Sequence, residues 1–217
     1  MTILGLDTTS EFGSLGVRSD GRIVAEVMLQ SRDGFAHVIF PAIQEVLKQA
    51  GIRLEEIDRF AAASGPGSFT GVRVGLSAVK GLAEALGKPV VAVSNLRALA
   101  TFGTLPVRAV FLDARRGEIY AAVYDSDLQP VMEEAVLKLS DWLATLDQPS
   151  YEFISGSLEA NSLEGTRFAA MPFREAPKSL AAAVAVCAEK DRGMDAAALD
   201  ANYVRRSDAE LFWRDVR

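Results

Sequence analysis

Asp7, Thr8 and Thr9 stand at the end of a short apolar run, in ILGLDTTS. A carboxylate followed by two hydroxyls can hold a hydrated magnesium ion and donate to phosphate oxygens. A second candidate set lies in SGPGSFTGVRVGLSAVKG, residues 64–81, where Gly65, Gly67 and Ser68 precede a helical pattern. The N–H groups at a helix start attract anions. No lysine follows the glycines as in a P-loop, and the spacing is not that of a dinucleotide fingerprint. Two readings therefore stand side by side: a loop that cradles a phosphate, or the tight turn that joins a strand to a helix.

Other catalytic chemistry is scarce. His37 is the only histidine, so a metal site built on paired histidines is excluded, and a Ser-His-Asp triad would have to use this one residue. Cys187 is the only cysteine and lies in the alanine-rich SLAAAVAVCAEK, where a buried structural thiol is expected. A single cysteine forms no intramolecular disulfide and suits a reducing cytosol. No catalytic residue and no metal site is assigned. The net charge of -6 disfavours nucleic-acid binding by this chain alone. No apolar run reaches the roughly 18 to 20 residues of a membrane span, and the start lacks a signal-peptide pattern, so a cytoplasmic protein is expected.

The elements that carry these groups follow from periodicity. ILGLD reads as a first strand, and SLGVRSDGRIVAEVML as a hairpin turning at Asp20-Gly21. Residues 37–50 have helical spacing, with Ile39, Ile43, Val46, Leu47 and Ala50 on one face, Pro41 in the first turn and Gly51 as the stop. DRFAAAS is a buried strand, residues 71–86 a helix, KPVVAVSN a strand and LRALATF a short helix. In residues 71–86, Gly71, Gly75, Ala78 and Ala85 make a small-residue face that admits either a partner helix or another part of the chain. Val72, Leu76, Val79, Ala83 and Leu86 line the adjacent face.

The second half repeats the first. Placing AVFLDARRGEIYAAVYDSD under ILGLDTTSEFGSLGVRSDG sets Asp113 on Asp7, residues 121–123 on 15–17, and Ser126-Asp127 on the Asp20-Gly21 turn. Arg115 and Arg116 stand where a phosphate loop more often has small residues. A later helix over 179–191 is expected to pack on the second sheet. Aspartates that end the first strands of two duplicated lobes point to an α/β protein of actin-like ATPase (ribonuclease H-like) architecture, each lobe a mixed sheet with packed helices. The lobes are set at residues 1–103 and 104–217, since Gly103 and Pro106 punctuate the junction.

Almost end to end, the chain resembles the TsaB (YeaZ) family of bacterial tRNA threonylcarbamoyladenosine synthesis. The resemblance is carried by ILGLDTTS, HVIFPAIQEVLKQAG, LDARRGEIYAAVYD, the closing NYVRR and, most specifically, SGPGSFTGVRVGLSAVKGLAEALGKPVVAVSNLRALA. It implies a non-catalytic scaffold that dimerises with the transferase TsaD, is joined by the ATPase TsaE, and serves threonylcarbamoyl transfer to the adenosine beside the anticodon of tRNAs reading A-starting codons. It also implies a homodimer in isolation, tRNA contact only through the complex, and no membrane. Carried over by position, the partner surface falls on residues 37–50 and 71–86, with Phe40, Ile43, Leu47, Val72, Gly75, Leu76, Ala78 and Val79 as candidates. No cofactor is required. The vestigial nucleotide loops, Asp7, Thr8, Thr9, Gly65, Gly67 and Ser68, are where ATP or ADP would bind. Two alternatives come from other classes: an ATP-dependent small-molecule kinase of the actin-like superfamily, supported by Asp7 and Asp113, and an M22-type peptidase homologue. The short second lobe weighs against the first, and the missing metal ligands and nucleophile against the second.

Overall fold

The computed structural model describes residues 1–31 and 33–204. Three strands, β1 (Thr2–Asp7), β2 (Phe12–Ser19) and β3 (Arg22–Gln30), form an antiparallel meander. β4 (Arg59–Ala63) pairs parallel with β1, and β5 (Val90–Val93) parallel with β4, giving the order β3-β2-β1-β4-β5. The second half builds the same sheet again. β6 (Arg108–Arg115), β7 (Glu118–Tyr124) and β8 (Pro130–Leu137) run antiparallel, and β9 (Glu152–Ser155) and β10 (Phe173–Glu175) add in parallel. Its order, β10-β9-β6-β7-β8, matches the first, so the alignment of Asp7 with Asp113 reflects a repeated topology. The first hairpin turns where expected, with Asp20 at φ 47° and Gly21 at φ 78°, the left-handed pair that a tight two-residue hairpin needs.

Among the described residues four α-helices connect these strands, α1 (Ile39–Ala50), α2 (Phe69–Leu86), α3 (Asn95–Ala100) and α4 (Leu139–Thr145), and α5 (Ala181–Lys190) follows the last strand. α1 begins two residues after the exposed His37, keeps Pro41 in its first turn and ends at left-handed Gly51. It packs with α2 on one face of the first sheet, where Ile43, Val46 and Leu47 meet Leu4, Leu6, Phe60, Val72, Leu76 and Val79. α4 covers one face of the second sheet, its Trp142 packed against Phe111 and Phe153. The second lobe is the reduced copy: α4 has only 7 residues against 12 in α1, and the β9 to β10 connection holds a 3-10 turn where the first lobe has α2.

The expectation for the helix at 179–191 is corrected. It forms, as α5, but it packs on the first sheet, against β1, β2 and β4. Glycines explain this. A Cβ on Gly5 would strike the Ala181 carbonyl, and one on Gly16 would lie 3.0 Å from the Ala182 nitrogen, so these two strand glycines let the α5 backbone lie directly on the sheet. Ser14 Oγ accepts from the N–H groups of Leu180 (3.3 Å) and Ala181 (3.1 Å), and Arg59 Nη1 donates to the carbonyls of Ala188 (2.5 Å) and Asp191 (2.6 Å). Reciprocally, α3 follows the first sheet in sequence but lies on β6, β7 and β9. The middle layer is therefore shared, with Ile3, Ala61, Val91 and Val93 on one side, Val110, Ala122 and Ile154 on the other, and Leu96, Leu99, Val184 and Cys187 between them.

After α5 the chain returns to the first lobe. Met194 bridges Val90, and the segment runs on to residue 204 beside the glycine loop.

Candidate functional site

The strand end and the glycine loop meet and fill one another. Asp7 Oδ1 accepts from the N–H of Thr9 (2.9 Å) and from its hydroxyl (2.6 Å). Thr8 Oγ1 donates to the Gly71 carbonyl at 2.7 Å, and the Ser68 N–H donates to the Thr9 carbonyl at 2.6 Å. Ser68 is the N-cap of α2, its hydroxyl accepting from the Gly71 N–H at 3.2 Å. The glycines mark where the Thr8-Thr9 backbone passes. A Cβ on Gly67 would lie 2.5 Å from the Thr9 carbonyl oxygen, one on Gly71 would collide with the Thr8 carbonyl, and one on Gly75 would lie 2.6 Å from Thr8 Oγ1. Gly65, at φ 103°, precedes a cis peptide to Pro66. Of the donors at the head of α2, the Ser68 and Gly71 N–H groups are thus engaged by the chain's own residues.

Asn95 was not singled out from the sequence, yet it ties the two loops together. Its Nδ2 donates to Thr9 Oγ1, its Oδ1 accepts from the Gly65 N–H at 3.1 Å, and its own N–H donates to the Gly65 carbonyl at 2.8 Å. The signal was a polar Ser-Asn pair closing the apolar strand VVAV, a cap position with a second polar residue left to place.

Asp7 and Asp113 occupy equivalent strands in different surroundings. Asp7 is buried, its Oδ2 has no partner among the described residues, and burial pushes its carboxyl above the ordinary range despite the Thr9 hydrogen bonds. Asp113 is exposed, takes the Arg115 N–H on its Oδ1 at 2.7 Å, and donates its own N–H to Ser157 Oγ at 2.8 Å. Arg115 and Arg116 sit in the hairpin tip at φ 62° and 58°. Cys187 is fully buried, and burial pushes its thiol up to about 12. Among the described residues no group of three or more His, Cys, Asp or Glu side chains is placed to hold a metal ion.

On the outer side of the first lobe, α1 and α2 leave an apolar groove of about 480 Å³ between them. Its walls include Phe40, Phe69, Arg73, Val74, Ser77 and Ala78. Phe40 is 54% and Phe69 46% exposed, and the Arg73 guanidinium lies 3.6 Å from the Phe69 ring centroid. Of the surface candidates, Phe40 stands in solvent and Ala78 forms part of the groove. Ile43, Leu47, Val72, Leu76 and Val79 are buried in the lobe's own core, and Gly75 faces Thr8. Phe69 and Arg73 lie on the outward face of α2 and are not among the candidates that the sequence offers.

A second, polar cavity of about 700 Å³ opens where the start of α3, β7, β8 and the final segment converge. Arg97 forms a two-pronged ion pair with Asp191 at 2.5 and 2.9 Å, which raises the guanidinium pKa. Glu134 accepts from the hydroxyls of Ser94 and Tyr124 (the latter at 2.7 Å) and from Asn202 Nδ2 at 2.7 Å. Burial, reinforced by the Glu134 charge, pushes the Tyr124 phenol up. The closing Asn-Tyr-Val-Arg-Arg motif passes outside the described residues at Arg205 and Arg206. Among the described residues no helix is long and apolar enough to cross a membrane.

Comparison with known proteins places this geometry. The family TsaD, tRNA N6-adenosine threonylcarbamoyltransferase, matches residues 24–195. The Bacillus subtilis tRNA threonylcarbamoyladenosine biosynthesis protein TsaB is 27% identical over 226 residues, spanning 98% of this chain and 98% of its own. The Escherichia coli protein of the same description is 35% identical over 164 residues, spanning 71% of this chain and 70% of its own. The structure of YeaZ from Pseudomonas aeruginosa superposes with a TM-score of 0.77 at 26% identity, over 93% of this chain and 99% of its own.

Proposed function

The chain belongs to the TsaB (YeaZ) family, and on that premise we propose that it works as a scaffold, presenting the α1–α2 groove to TsaD. It has the two-lobed actin-like fold of that family, and its role lies in tRNA threonylcarbamoyladenosine biosynthesis as a non-catalytic paralogue of the transferase. The observation that carries the docking reading is the exposed apolar surface at the groove, with Phe40 and Phe69 about half in solvent. Contiguous exposed apolar surface of this kind marks sites of protein association. In the proposed assembly the chain pairs with TsaD, the pair recruits TsaE, and the groove mediates a homodimer when the chain is alone. The tRNA is met through the complex, in keeping with a net charge of -6. No nucleotide is needed: the glycine loop serves as an architectural turn, and buried Asp7 holds the Thr9 backbone.

Phe40→Asp tests this reading. It places a charge in the groove without touching the core, so the monomer should keep its melting temperature. Its association with TsaD from the same genome should weaken by about tenfold or more, the scale of a central apolar contact. Unchanged affinity by calorimetric titration would remove the groove from the interface.

A further inference from the structure

We propose that residues 201–204 form a latched strap that completes the docking face, so that the face is fully formed only while the strap is seated. The proposal rests on the groove being the docking face, and it adds a conformational requirement to that face.

Two contacts of Asn202 hold the strap across the lobes. Its backbone N–H donates to the Ser64 carbonyl at 2.8 Å, where β4 enters the glycine loop, and its Nδ2 reaches Glu134 Oε2 at 2.7 Å. Glu134 is fixed in turn on its other oxygen by the hydroxyls of Ser94 and Tyr124. One carboxylate on β8 therefore joins the second sheet, the start of α3 and the strap. The next residue makes the link to the groove. The Tyr203 ring lies 5.8 Å from the Phe69 ring, tilted by 37°. Phe69 carries Arg73 as well, at 3.6 Å from its centroid, and its ring forms part of the groove wall. An aromatic side chain in the first turn of a helix, 46% exposed, has few neighbours to fix its rotamer. Here Tyr203 and Arg73 supply them. Unlatching the strap removes one of the two supports. Phe69 is then free to swing over the groove, and the lost order must be restored each time a partner docks.

Association of the full-length chain with itself, by sedimentation, and with TsaD, by calorimetric titration, gives the readout. Tyr203→Ala leaves the Asn202 hydrogen bonds in place but removes the ring from Phe69. Glu134→Ala removes the side-chain latch and should also speed hydrogen exchange at the Asn202 amide. Each should weaken association about three- to tenfold, the scale of one aromatic pair. Adding Tyr203→Ala to Phe69→Ala should cost no further affinity, because the strap acts through that ring. If Glu134→Ala does not fold, the half-exposed Tyr203 variant decides. Phe40→Asp disrupting association while Tyr203→Ala leaves it unchanged would overturn the strap and keep the groove. Phe40→Asp without effect would overturn both.

Discussion

Asp7 shows how one residue type supports two different chemistries. In the sequence, an aspartate followed by two hydroxyls fits a magnesium and phosphate loop. In the folded chain, both threonine side chains are turned to the protein's own groups, and Asp7 is buried with Oδ2 unpartnered. The motif was legible, but whether its donors face a ligand or the chain depends on how closely the glycine loop approaches, which spacing alone does not encode. The raised carboxyl pKa gives a test. Because folding raises it above the ordinary 3.8, the folded state holds the proton more tightly than the unfolded one. The favourable contribution is present at low pH and is lost as pH rises through the folded value. Asp7→Asn cannot ionise and keeps an oxygen for the Thr9 donors. Its thermal midpoint relative to the parent should therefore climb from about pH 4 upward, where the unfolded carboxyl ionises, and then level off. Melting curves from pH 4 to 8 read this directly, and a difference flat across that range would show that Asp7 is not held neutral.

Among the elements, strands and helices were legible because their periodicities are strong. Packing partners are legible only where a residue type marks a close approach. Chain order sets the helix at 179–191 beside the second sheet, yet the signal for the first sheet is present in the sequence. Gly5 and Gly16 each stand between apolar residues of a strand, and Ala181, Ala182 and Ala185 form the facing side of α5. Glycine inside a strand implies close backbone approach, and only a small-residue helix can make that approach. On α2 the small-residue face suits either a partner helix or the chain itself. Spacing does not choose between them, and in the folded chain Gly71 and Gly75 make room for Thr8. Gly5→Ala should then push α5 off its sheet. Overpacking of about 1–3 kcal/mol corresponds to a midpoint lowered by about 3–10 °C in a chain of this size. An unchanged midpoint would mean that the α5 backbone does not lie on Gly5.

At the scale of the molecule, the exchanged helices decide how the lobes behave. The first sheet has α5, from the second half of the chain, on one face, and the second sheet has α3, from the first half, on one of its own. Cutting the chain between the sheets would leave Ile3, Ala61, Val91 and Val93 exposed on one fragment and Val110, Ala122 and Ile154 on the other. Polar ties cross the same layer, including Arg18 to Glu189 at 2.6 Å and Arg97 to Asp191. A kinase of this architecture needs lobes that move against each other to enclose a nucleotide. A scaffold needs a face held in fixed relation to the rest of the complex, and a shared apolar layer of alanine, valine and leucine supplies that rigidity. The full chain should accordingly unfold in one transition, with calorimetric and van't Hoff enthalpies equal. A fragment of residues 1–103 should show no cooperative melt by itself, because half of its sheet's burial lies in residues it lacks. Adding a fragment of residues 104–217 should restore the melt, since α5 returns with it. Two separate transitions in the intact chain, or a cooperative melt of the first fragment alone, would mean that the shared layer does not bind the lobes into one unit.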